Sequence, residues 1–160
     1  MNIAEAGEGP LVLLCHGFPE TSHAWRHQIT ALAGAGFHAV APDMRGYGRT
    51  ESPDEASAYT VVDLVADMVA LVDALGAEQA VIVGNDWGAT VAWQAALMRP
   101  DRFRGVVAMS VPLMMVSRSS SEKRIQPAIS SVVRPHPAQR PVRGSREHMR
   151  IQGVRMSVIS

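Results

Sequence analysis

The sequence predicts an α/β fold, a parallel sheet flanked by helices, and three observations lead there. Aliphatic runs of strand length alternate with stretches of helical period along the first 116 residues. The polar, glycine-bearing motifs sit directly after those aliphatic runs, as they do where chains turn at the rim of a sheet. A chain of 160 residues, 47% hydrophobic and 19% charged, is the size and composition of one ordinary domain with a packed core. Strands separated by helices become parallel neighbours, with the helices covering both faces.

Each element can be justified in order. Leu11–Cys15 is a continuous aliphatic run, the pattern of a strand buried on both faces, and it ends in His16-Gly17-Phe18-Pro19. Thr21 or Ser22 then starts a helix that places Trp25, Ile29 and Leu32 on one face and ends near Gly34 and Gly36. Phe37–Pro42 is the second strand, followed by the turn-rich Arg45-Gly46-Tyr47-Gly48. Thr60 with Asp63 gives a capping-box start to a helix. In that helix Val61, Val65, Met68, Val72 and Leu75 recur at helical steps before Gly76 stops it. Ala80–Val83 is the third strand and enters Gly84-Asn85-Asp86-Trp87-Gly88. A helix lined with Ala89, Ala92, Ala95 and Ala96 stops before Pro100, and Gly105–Val111 is the fourth strand.

Overall charge is zero, with 15 basic and 15 acidic residues, which argues against a nucleic-acid or anionic-membrane partner. The balance hides a split. Residues 1–116 hold 13 acids and 6 bases, whereas 117–160 hold 2 acids and 9 bases together with 9 of the 13 serines. The boundary predicts a folded part over 1–116 and a basic Ser/Pro/Arg-rich tail over 117–160, expected to be disordered or non-native because no helical or strand period is sustained and prolines interrupt it. The aliphatic runs are too short to span a membrane, and no secretory pattern follows Met1. The single Cys15 excludes an intrachain disulfide and fits a reducing, cytoplasmic setting.

The chemistry is expected where the strands end. Gly84-Asn85-Asp86-Trp87-Gly88 has the G-x-D-x-G form of a nucleophile elbow, with aspartate where esterases place serine. Gly84 and Gly88 let the backbone turn sharply and the helix pack close, leaving the side chain of Asp86 presented at the positive end of a helix dipole. A carboxylate there stays ionised and can attack an electrophilic carbon to form an ester. The bland alternative is a glycine turn with no catalytic role. In His16-Gly17-Phe18-Pro19, a tight loop after a strand can aim the backbone N–H of Phe18 into the same place, where with the N–H of Trp87 it would form an oxyanion hole. The imidazole of His16 is read as structural, while Gly17, Pro19 and Trp87 line or position the pocket.

In this order and spacing, His16-Gly17-Phe18-Pro19-Glu20, Asp43-Met44-Arg45-Gly46-Tyr47-Gly48-Arg49-Thr50 and Gly84-Asn85-Asp86-Trp87-Gly88 resemble the α/β-hydrolase-fold epoxide hydrolases. The resemblance covers roughly residues 3–113, including Arg99-Pro100-Asp101-Arg102 and Val111-Pro112. It implies that Asp86 opens an epoxide through an alkyl-enzyme ester, that Phe18 and Trp87 supply the backbone donors, and that no cofactor is needed. The partners implied are a small apolar epoxide and water. Asn85 stands where the family usually has histidine, and Asn2–Ala6 supplies at most a remnant of the strands that normally precede Leu11.

After Val111-Pro112 the family continues into a helical cap and its last strands, whereas here the composition changes. The only tyrosines are Tyr47 and Tyr59, the only later histidines His136 and His148, and the only later acids Glu122 and Glu147. The expectation is therefore a truncated sheet without cap, last strands or water-activating base, weakly active or inactive and self-associating through an exposed sheet edge. A frameshift in a GC-rich gene would produce such a tail; reading the coding DNA in its other frames past codon 116 tests that. Two other readings stay open: a haloalkane or haloacid dehalogenase using the same aspartate, and a non-catalytic fragment.

Other features take bland readings. His23 and His27 lie four apart on a helix, but Ala24 stands where a zinc-protease motif needs glutamate, so they belong to a solvated face and no metal is expected. Gly46-Tyr47-Gly48 lacks the third glycine of a dinucleotide cradle, since position 51 is Glu51. Asp43 is read as capping or positioning the Arg45 loop, and Cys15 as inert.

Overall fold

The computed structural model describes residues 1–111 in full and, beyond them, the backbone of residues 146–151 and 154–159. Strand β1 (Ile3–Ala6) is followed by β2 (Leu11–Cys15), a 3-10 turn over Ser22–Trp25, α1 (Arg26–Gly34) and β3 (His38–Pro42). Helix α2 (Val61–Ala74), β4 (Ala80–Asn85), α3 (Trp87–Met98) and β5 (Phe103–Met109) complete the alternation, and β6 (Arg146–Ile151) and β7 (Val154–Ile159) follow. The strands form one sheet in the order β1-β3-β2-β4-β5-β7-β6. Pairs β2–β3, β2–β4, β4–β5 and β5–β7 are parallel, and β1 and β6 pair antiparallel at the two edges.

The register explains why the aliphatic runs are continuous. Leu11 to Cys15 lie opposite Ala80 to Gly84, and all five residues of β2 are buried. Alternate residues serve opposite faces. On one, Leu11, Leu13 and Cys15 join Val40, Ile82 and Val106 beneath the apolar stripes of α2 and α3. On the other, Val12, Leu14, Ala39 and Ala41 pack with Trp25 and Ile29, and Val81, Val83 and Met109 are only partly buried. The alanines of α3 keep that helix close to the sheet: Ala89, Ala92, Ala95 and Ala96 are all buried.

The caps follow from the sequence. Thr60 accepts the Asp63 amide at 3.2 Å as the N-cap of α2, and its hydroxyl is bonded to the Asp63 carboxylate. Gly76, at φ 69°, ends that helix in the left-handed region that glycine tolerates best.

Two expectations need correction. The fourth strand, expected over Gly105–Val111, runs over Phe103–Met109, because Ser110 at φ 71° turns the chain out of the sheet. The sheet also does not stop at β5. Although no strand period was expected in 117–160, Gly105 to Met109 pair with Arg155 to Ile159 of β7, and Arg146 to Ile151 pair back on β7. The signal was present in the sequence. Met149 and Ile151, then Val154, Met156 and Val158, alternate with His148, Arg150, Arg155 and Ser157, broken by Gly153. The surrounding arginines, serines and prolines masked that short period in a composition-level reading. His136 and Glu122 lie outside the described residues, and the side chains of His148 and Glu147 do as well.

Candidate active site

Strands β2, β3 and β4 are adjacent and parallel, so the three motifs that leave their carboxyl ends meet at one rim of the sheet. The centre is Asp86, between β4 and α3, at φ 52° and ψ −121°. A non-glycine residue at positive φ is strained, and such strain persists only where the surroundings enforce it. Here they do. The Asp86 amide donates to the Met109 carbonyl at 3.3 Å, and Ala89 N donates back to the Asp86 carbonyl at 3.0 Å. Gly84 and Gly88 cannot be exchanged for larger residues: a Cβ on Gly84 would collide with the backbone of Gly88, and one on Gly88 with the backbone of Cys15 and His16.

The His16–Pro19 loop faces this elbow. Phe18 N donates to Asp86 Oδ1 at 3.1 Å. A Cβ on Gly17 would stand 2.7 Å from Asp86 Cβ, so only glycine permits this approach. The Phe18 and Trp87 amides, Phe18 first, hold the Asp86 carboxyl below its usual range, against a smaller upward push from desolvation. No ion pair to Asp86 occurs among the described residues. The side chains of Phe18 and Trp87 are 63% and 62% exposed beside it, apolar surfaces of the kind that core packing does not explain.

His16 is fully buried. Its Nε2 accepts the Met44 amide at 3.0 Å, so Nδ1 carries the proton and donates to the Gly17 carbonyl at 2.8 Å. Both ring nitrogens are therefore committed to holding the loop. Tyr47 packs edge-on against His16 at 4.9 Å between ring centroids and against Phe18 at 6.5 Å. Gly17 N donates to Glu20 Oε2 at 3.1 Å, and the Phe18–Pro19 peptide is cis.

Asp43 is buried and accepts from three directions. Ser22 N reaches Oδ1 at 2.8 Å; Asn2 Nδ2 at 2.8 Å and Arg49 N at 3.3 Å reach Oδ2. Burial pushes its pKa up, but the hydrogen bonds from Ser22, Asn2 and Arg49 outweigh that and bring it down to about 2. Arg45 leaves the same loop in a two-pronged ion pair with Asp67, at 2.6 and 2.8 Å, and also donates to the Ala58 carbonyl.

Behind the elbow lies an open cleft of about 240 Å³ lined by Glu20, Ala24, Trp25, Gln28, Asn85 and Met109. Asn85 Oδ1 accepts the Ser110 hydroxyl at 2.8 Å. Trp25 Nε1 is buried and finds no hydrogen-bond partner among the described residues.

The structure thus brings together Asp86, Phe18, Trp87, His16, Gly17, Pro19, Gly84, Asn85 and Gly88. It keeps His23 and His27 on the exposed face of α1 and the turn before it. Cys15 is buried against Met68, its thiol pushed up to about 12 by desolvation. Sequence reasoning missed Ser110, whose role depends on a positive φ that a serine does not advertise. It also underused Tyr47, whose contacts cross from one loop to another.

A family model described as alpha/beta hydrolase fold matches residues 10–130. An epoxide hydrolase of Caballeronia sordidicola is 53% identical over 126 residues, 79% of this chain and 38% of its own length. Epoxide hydrolase A of Mycobacterium tuberculosis (strain ATCC 25618 / H37Rv) is 53% identical over 116 residues, 71% of this chain and 36% of its own length. Among solved structures, an epoxide hydrolase from Vigna radiata superposes with a TM-score of 0.71 at 49% identity, covering 79% of this chain and 41% of that one. The chain therefore spans less than two fifths of the length of these two curated relatives. With the elbow, the facing loop and the parallel sheet all in place, the chain belongs to the alpha/beta hydrolase fold family.

Proposed function

We propose that this chain carries the ester-forming half of an epoxide hydrolase, with Asp86 as nucleophile and the Phe18 and Trp87 amides as oxyanion donors. The observation that carries the reading is the bond of Phe18 N to Asp86 Oδ1, which aims a backbone donor from the facing loop at the carboxylate on the elbow. Relatives named as epoxide hydrolases at about half identity support the substrate class. The exposed rings of Phe18 and Trp87 favour a small apolar epoxide, and water is the second substrate.

In the first step Asp86 Oδ2 bonds to an epoxide carbon, the ring C–O bond breaks, and the freed oxygen takes a proton from solvent. Water then adds at Cγ and gives up a proton. The negative charge gathers on Oδ1, the oxygen that the Phe18 amide holds. Collapse releases the diol and restores the carboxylate. Among the described residues no histidine is placed to activate that water, since His16 has both nitrogens committed to the fold, His38 pairs with Glu5 at 2.7 Å, and His23 and His27 lie exposed on α1 and the turn before it, so the second step is expected to be slow. The reading involves no cofactor, and the lone buried Cys15 fits a reducing, cytoplasmic setting.

Exposure of the chain to styrene oxide, followed by intact-mass measurement, tests this. We expect a persistent adduct of one epoxide mass that is absent in Asp86→Ala. An unmodified parent chain, or an adduct that survives in Asp86→Ala, overturns the assignment.

A further inference from the structure

The loop that carries the Phe18 donor is pinned at both of its ends by two consecutive residues. Before Phe18, His16 Nε2 receives the amide of Met44 at 3.0 Å. After it, Ser22 N is held by the carboxylate of Asp43 at 2.8 Å. Asp43 and Met44 directly follow β3, which ends at Pro42 and lies beside β2, the strand from which the loop leaves. The carboxylate is itself locked, since its second oxygen takes Asn2 Nδ2 and the Arg49 amide. Asn2 N in turn donates to Thr50 Oγ at 2.9 Å, and Thr50 Oγ donates to the Asp43 carbonyl. A Cβ on Gly48 would strike the Asp43 carboxylate, so the loop is closed around it. Tyr47, from the same segment, backs both His16 and Phe18.

We infer that Asp43 is a positioning residue for the Asp86 chemistry: through Ser22 it fixes the far end of the loop whose near end Met44 fixes through His16, and so sets the distance from the Phe18 amide to Asp86 Oδ1. This rests on the role proposed above for the Phe18 amide. It has a kinetic signature that plain destabilisation lacks. A donor on Oδ1 stabilises the free carboxylate, whose charge is lost on alkylation, and stabilises the tetrahedral oxyanion, whose charge is gained on hydrolysis. Loosening the donor therefore leaves alkylation as fast or faster and slows breakdown of the ester.

The test compares the parent chain with Asp43→Asn, Ser22→Pro and Thr60→Ala. Ser22→Pro removes both the Ser22 N–H and the Ser22 side chain that bond Asp43, leaving its bonds to Asn2 and Arg49, at the first residue of a helical turn, where proline is tolerated, after Thr21 in an extended conformation that suits a following proline. Thr60→Ala removes a helix cap away from the site and serves as the stability control. Intact mass after a pulse of styrene oxide gives the alkylation rate and the ester lifetime. Exchange of the Phe18 amide by NMR reports the hydrogen bond without any chemistry.

We expect the ester to live about tenfold to a hundredfold longer in Asp43→Asn and Ser22→Pro, with alkylation not slowed and Phe18 exchange accelerated. Thr60→Ala should change neither the ratio of the two rates nor Phe18. Loss of both rates in parallel, or unchanged Phe18 exchange in both site variants, overturns the inference. An unalkylated parent with accelerated Phe18 exchange in the variants overturns the nucleophile reading and leaves the brace standing.

Discussion

At the scale of single residues, two carboxylates at the sheet rim are handled in opposite ways. Asp86 Oδ1 receives the backbone amide of Phe18 at the exposed rim, an arrangement suited to reaction. Asp43 has both oxygens occupied and is buried, an arrangement suited to holding parts together. The difference shows in acid. With a folded pKa of about 2 against an ordinary 3.8, ionised Asp43 contributes stability that is fully present above the ordinary carboxylate range and is lost as pH falls through 2. The shift corresponds to about 2 kcal/mol. Urea denaturation of the parent and Asp43→Asn should therefore show a gap of about that size at pH 6 that narrows steadily towards pH 2. A gap constant over that range would mean the charge is not what Asp43 contributes. The turn at Asp86 was legible in the sequence because the elbow motif is a local code of glycines around one side chain. The Asp43–Ser22 and Met44–His16 bonds were not, because they join residues 21 and 28 apart whose pairing depends on strand order.

At the scale of elements, the first 111 residues were legible because local propensity and burial agree along them. The capping box at Thr60, the stripe through Val65, Met68 and Val72, and the glycine stop all point to one helix, and α2 is that helix. Replacing Thr60 by alanine should cost about 1 kcal/mol, read as a lowered urea midpoint at unchanged m-value. Where local signals conflicted, the reading slipped. Val111 is apolar and extends the β5 pattern, but Ser110 leaves the strand and Val111 instead accepts Trp93 Nε1 at 3.2 Å. The hairpin of β6 and β7 was lost for the opposite reason: each strand is six residues long, and its alternation is overshadowed by the composition around it. A parallel neighbour such as β7 declares itself only through the strand it pairs with, and β5 lies more than forty residues earlier in the chain.

At the scale of the whole molecule, the position of the sheet edge decides how the chain behaves in solution. If the sheet ended at β5, an aliphatic strand would stand with its backbone donors and acceptors open to other chains, and association would follow. Instead β7 pairs with β5, and the edge passes to β6, Arg146-Glu147-His148-Met149-Arg150-Ile151. Ionisable residues occupy four of those six positions, and charge on an edge strand discourages pairing between molecules. Self-association is thus tied to whether β7 stays in place. Because β7 has a neighbour on each side, each of its amides faces one ladder or the other, and Val158→Pro deletes one of those bonds opposite Ala108. We expect sedimentation velocity at low salt to give a concentration-independent monomer for the parent chain and association for Val158→Pro, with amides across 154–159 protected from exchange in the parent and lost in the variant. A parent that associates as readily as the variant, with those amides exchanging freely, would return the edge to β5 and with it the truncated sheet that the composition of the tail suggests.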